Sequence, residues 1–127
     1  MKARLQMAGM GSALERQFAL LWRVVQGPAL EREVKFDPSR RWRLDFVHVE
    51  TRIAFEVEGG IWTGGRHSRG GGFCADCEKY NAATMAGWRV MRLTGEMLTW
   101  RTVHALAGWV WTETARQRMA AIAATGK

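Results

Sequence analysis

Two runs of alternating apolar and polar residues, Trp42–Val49 (WRLDFVHV) and Arg52–Glu58 (RIAFEVE), stand only two residues apart. Period-two alternation means strands, and so short a connection means an antiparallel hairpin. Within it, Glu56 and Glu58 share one face, because residues two apart in a strand point the same way. Asp45 lies in the first strand between Leu44 and Phe46. A two-residue turn, or a four-residue loop with His48 opposite Ile53, brings Asp45 directly across from Glu56. A three-residue loop slips the register by one and parts them.

Elements of other kinds flank this hairpin. Ser12–Val25 (SALERQFALLWRVV) carries Leu14, Phe18, Leu21, Trp22 and Val25 at helical spacing. Ser12 and Glu15 form the S-x-x-E pattern of a capping box, and Gly27-Pro28 ends the helix. Glu31–Phe36 reads as a short edge strand, followed by a turn at Asp37-Pro38-Ser39. Gly59–Gly72 is a loop with seven glycines. Phe73–Ala86 reads as a helix stopped by Gly87, Trp88–Leu93 as a strand, and about 96–124 as a long final helix. Helix, strands, helix, strand, helix makes an α/β fold, a mixed sheet flanked by helices. The 127 residues, 47% of them hydrophobic, suffice for one domain with its own core.

The formal charge is +7, and 15 of the 19 basic residues are arginine. Arginine suits bidentate contact with phosphate, so the expected partner is a nucleic acid. No apolar run reaches the length of a membrane span, about 20 residues. Met1–Ser12 lacks a signal-peptide core, which leads us to expect a cytoplasmic protein. A single CxxC, Cys74 and Cys77, does not complete a zinc site; two reduced thiols on a helix are expected.

Carboxylates held across adjacent strands repel, so a proton, an arginine or a metal must offset them. Hard oxygen donors in this number suit Mg2+. An ion on Asp45 and Glu56, in a basic protein, is the core of a phosphodiesterase centre; salt bridges to the many arginines are the other reading. Asp76, Lys79, Tyr80 and Ala83 share one face of the following helix. From there Lys79 either orients water and stabilises phosphoryl oxygens or is a solvated helix lysine. Arg66, His67 and Arg69, set among loop glycines, are placed for contact with an anion.

These residues resemble a known family. Asp45-Phe46, the stretch Phe55–Trp62 (FEVEGGIW), Gly65–His67 (GRH), Asp76–Asn81 (DCEKYN) and Gly87–Thr94 (GWRVMRLT) are similar to the PD-(D/E)xK nuclease superfamily. Within it they look like the branch of very-short-patch mismatch-repair endonucleases. The likeness covers about residues 12–100 and implies a restriction-endonuclease-like fold. It implies an endonuclease of nicking, repair or junction-resolving type, acting on DNA with Mg2+, or Mn2+ in its place. Asp45 and Glu56 would be the metal-binding acids, with Glu15 as the helix glutamate completing the set; the cap at Ser12 is the other role open to Glu15. The lysine expected two residues after the second acid is replaced by Glu58. Lys79 stands where some members relocate that lysine, and Glu58 is then a further ligand or a water-positioning group. Cutting both strands of DNA would suit a homodimer. The rival reading is an inactive nucleic-acid-binding or assembly module on the same fold, with Trp100, Trp109 and Trp111 of the last helix as its sticky face.

Overall fold

A computed structural model describes residues 12–59 and 70–126. The chain forms two compact units. One is made by the segments up to Ala29 and from Glu96 onward, the other by Leu30–Gly95.

The first unit contains helices α1 (Ala13–Val24) and α3 (Trp100–Thr125). Ser12 caps α1, its Oγ accepting the Glu15 backbone N–H at 3.0 Å. The end of α1 is closed by Gln26, whose φ of 58° turns the chain left-handed, and by a Gly27 N–H to Trp22 carbonyl bond of 3.0 Å. Trp22 is buried and donates Nε1 to the Pro28 carbonyl at 2.7 Å. Only glycine fits at position 27, because a Cβ there would collide with the Trp22 ring. The final helix begins later than the periodicity suggests. Gly95–Met97 forms a 3-10 turn. Thr99 then caps α3, accepting the Thr102 N–H. Val103, Ala107, Val110 and Thr114 form the buried stripe of α3, at three- and four-residue spacing. Trp100, Trp111, Met119 and Ile122 are exposed.

The second unit is a four-stranded sheet in the order β1 (Glu31–Lys35), β2 (Arg43–His48), β3 (Ile53–Glu58), β4 (Arg89–Thr94). The first two pairings are antiparallel and β3–β4 is parallel. A parallel neighbour requires a crossover, and helix α2 (Gly70–Met85) supplies it. This helix starts at Gly70 rather than after the glycine run. Helical glycine costs up to about 1 kcal/mol each, so local propensity opposes this start. At its other end Gly87 has φ 92°. Its N–H bonds the Thr84 carbonyl at 3.0 Å and the Trp88 N–H bonds the Ala83 carbonyl at 2.9 Å. That pair of bonds is a Schellman closure. Trp88 and Ala83 then join Leu44, Val47 and Ala54 in the core. Arg52, itself at φ 57°, donates to the Ala86 carbonyl at 2.6 Å and lies over the Trp88 ring. A cation at a helix C-terminus also meets the negative end of its dipole. The Gly-Trp-Arg-Val stretch is thereby the joint that fixes α2 and β4 to the hairpin.

Candidate active site

The β2–β3 connection is the four-residue one, with His48 opposite Ile53. It is tied by Arg52 N–H to the Val49 carbonyl at 3.1 Å and by a buried His48–Thr51 contact of 2.8 Å. The ladder runs from His48–Ile53 through Val47–Ala54 to Phe46–Phe55. One step further, the same register sets Asp45 across from Glu56. There the acids take over the ladder's hydrogen bonding. Glu56 Oε2 accepts the Asp45 backbone N–H at 2.7 Å, and Asp45 Oδ2 accepts the Val57 N–H at 2.9 Å.

Glu56 is only 4% exposed. A carboxylate so buried is costly unless it is paired and hydrogen-bonded. Its second oxygen, Oε1, accepts Lys79 Nζ at 2.8 Å and Tyr80 OH at 2.8 Å. A lysine therefore offsets the charge, where the sequence suggested a proton, an arginine or a metal. Lys79 and Tyr80 both come from the α2 face that covers this side of the sheet. Burial first, then the charge of Glu56 and the bond to it, push the Tyr80 phenol well above its ordinary range.

Glu58 lies on the same face but is held differently. Arg92 of β4 grips it through both Nε and a terminal nitrogen. The same guanidinium sits 4.2 Å from the centre of the Tyr80 ring. The parallel register sets Arg92 beside Glu56 and Thr94 beside Glu58. Glu33 of β1 is an exposed acid near Asp45. The β1–β2 register runs on both sides of it and sets it across from Asp45. Its φ is 53°, a conformation uncommon for a residue with a side chain. A carboxylate oxygen of Glu33 lies within 4.8 Å of one from Asp45.

Of the residues singled out in the sequence, Asp45, Glu56 and Lys79 come together. Glu58 stands beside them, bound to Arg92. Glu15 belongs to the helical unit. Arg66, His67 and Arg69 lie outside the described residues. The sequence sets Tyr80 on the Lys79 face without giving it a role; its position next to Lys79 is the available signal. Arg92 and Glu33 left no such signal, since each is brought in by a pairing between separate strands. Cys74 and Cys77 are free and exposed on α2.

The donors gathered here are hard oxygens, which fit Mg2+ or Mn2+ better than a thiophilic ion. A carboxylate offers about four lone-pair sites. Glu56 uses three of them on Lys79, Tyr80 and Asp45, which leaves about one unused. Among the described residues no helix is long and apolar enough to cross a membrane. Comparison of the chain with protein-family models, curated proteins and solved structures finds no match.

Proposed function

We propose that this protein is a divalent-metal-dependent endonuclease that hydrolyses phosphodiester bonds in DNA, on a restriction-endonuclease-like version of its mixed sheet. One observation carries the reading: Lys79 Nζ meets the buried Glu56 carboxylate at 2.8 Å where the β2–β3 ladder ends at Asp45. Acid, acid and ammonium are the set that the resemblance to PD-(D/E)xK nucleases implies, and such a set could hold and assist a catalytic metal ion.

Asp45 and Glu56 would hold the ion. When bound, it supplies a hydroxide near neutral pH and positive charge for the phosphate. The chain's own groups do the positioning. The Asp45 and Val57 N–H groups fix the two carboxylates against each other. Tyr80 fixes the Glu56 head from the helix side. An ammonium carries three N–H groups. Lys79 gives one to Glu56 and keeps the others for the attacking water or a phosphoryl oxygen. Arg92 pairs with Glu58 and adds positive charge beside the centre.

The test is incubation of plasmid and branched DNA with the protein and Mg2+ or Mn2+, against a control with EDTA. Cleavage should require the ion. Asp45→Asn and Glu56→Gln should each remove most of it and leave DNA binding in place, because phosphate contacts supply affinity. Undiminished cleavage by both variants would sink the assignment.

A second reading is an inactive module that binds nucleic acid or assembles with copies of itself. The exposed Trp100, Trp111, Met119 and Ile122 on α3 favour assembly. DNA binding with no cleavage under any ion, together with a dimer in sedimentation, would decide for it.

A further inference from the structure

The nuclease reading leaves unused the turn that joins β1 to β2. From Lys35 to Arg43 the sequence reads KFDPSRRWR, with four cations and one carboxylate. The carboxylate, Asp37, is occupied within the turn. Its Oδ1 accepts the Ser39 N–H at 2.9 Å and the Ser39 hydroxyl at 2.8 Å. Lys35 and Arg43 are paired directly across the ladder, and both are exposed. Like charges so placed weaken a sheet. Among the described residues no ion pair relieves Arg41 or Arg43, and Lys35 has only the through-space attraction of Asp37.

We propose that this hairpin grips the phosphate backbone of duplex DNA through Lys35, Arg41 and Arg43, beside the Asp45–Glu56 centre. Position is the first support. Arg43 and Asp45 are two apart on β2. Their backbones stand about 7 Å apart along the strand. A DNA strand with a phosphate over Asp45 and Glu56 therefore has neighbouring phosphates within reach of these cations.

The aromatic residues of the turn decide between phosphate and base contact. Trp42 stacks on Phe36, with centroids 6.0 Å apart. The Arg40 guanidinium covers Trp42 at 3.7 Å and reaches Glu78 at 3.8 Å. Trp42 is thus a pillar within the protein rather than a platform for a base. What the hairpin presents outward is charge, which phosphate accepts whatever the sequence.

The inference takes its substrate from the nuclease reading, but its test does not involve cleavage. Binding of a fluorescent duplex is followed by anisotropy in EDTA across a salt series, using two unrelated sequences. The variants are Lys35→Gln, Arg41→Gln and Arg43→Gln singly and together, with Arg101→Gln as an equal loss of charge elsewhere. Each lost contact should make the slope of log K against log salt shallower by roughly 0.9. The triple variant should lose about two to three units of slope and bind both sequences about equally more weakly. Arg43→Lys should restore most of the Arg43 contribution, and circular dichroism should confirm the fold of each variant. A slope unchanged in the folded triple variant would overturn the proposal. So would a slope change from Arg101→Gln equal to that of each single variant, or a loss confined to one sequence. An absence of Mg2+-dependent cleavage in the plasmid assay would count against the nuclease reading and leave these slopes as they are.

Discussion

Replacing Lys79 by methionine keeps most of the stem and removes the ammonium from a carboxylate that is almost closed to water. The Glu56 and Lys79 side chains are 5% and 17% exposed. Removing one partner of a buried pair costs about 3–5 kcal/mol, because it strands the other charge. Glu56 would keep Tyr80 OH and the Asp45 N–H, and each hydrogen bond to a charged group contributes about 1.5–3 kcal/mol. Those two bonds, and water entering by the partly exposed Lys79 position, lower the expected loss to about 2–3 kcal/mol. For a chain of this length that is a fall in Tm on the order of 10 °C. Urea denaturation followed by circular dichroism should show it as a lower midpoint with an unchanged slope. A cycle with Glu56→Met should give a coupling above about 1 kcal/mol, since a pair replaced together leaves no stranded charge. Cleavage by Lys79→Met should fall by about a hundredfold, as when one donor to a developing anion is lost. A stability loss below about 0.5 kcal/mol would mean an exposed pair of negligible worth and would refute the reasoning for both effects.

Arg92→Met should cost less than about 1 kcal/mol by the same denaturation assay, because its pair with Glu58 is far more open to water, at 47% and 26% exposed; a loss as large as that of Lys79→Met would put the weight of the network on Glu58 instead. Tyr80 is the single tyrosine, and burial with Glu56 raises its pKa. A raised folded pKa means stability that is whole below about pH 10 and lost as pH climbs past it. Tyrosinate absorbance should stay flat in the folded protein at pH 11, where a free phenol is about nine-tenths ionised, and should rise only with unfolding. A folded-state midpoint near pH 10 would contradict the buried contact. Gly27→Ala forces a Cβ into the buried Trp22 ring and should destabilise by about 3 kcal/mol; a thermal melt matching the parent protein would show that the ring has room to move.

The hairpin was legible because alternation is local: each residue of WRLDFVHV and RIAFEVE announces its face by parity alone. Asp45 and Glu56 could be named as facing groups for the same reason, up to the length of one loop. Helix α1 was equally plain, since Ser12, Glu15, the apolar spacing and Gly27-Pro28 all lie within the segment they define. The ends that the sequence misplaced are those where local preference is weak or overridden. Glycines at 70–72 read as loop but are carried into α2. The start of α3 waits for Thr99, a better cap than Gly95 with the chain in the conformation it has there.

What no local pattern determines is which elements meet. Lys79 reaches Glu56 because the α2 crossover lays one helix face on one sheet face, and that docking is set by the joint at Arg52, Gly87 and Trp88 rather than by any spacing between positions 56 and 79. The parallel register of β4 delivers Arg92 to Glu58 and Tyr80. The antiparallel register of β1 delivers Glu33 to Asp45 and sets Lys35 against Arg43. Sequence fixes a residue's face within its own element, since that depends on backbone geometry alone. A partner on another strand depends on loop closure and core packing, which sum over the whole unit.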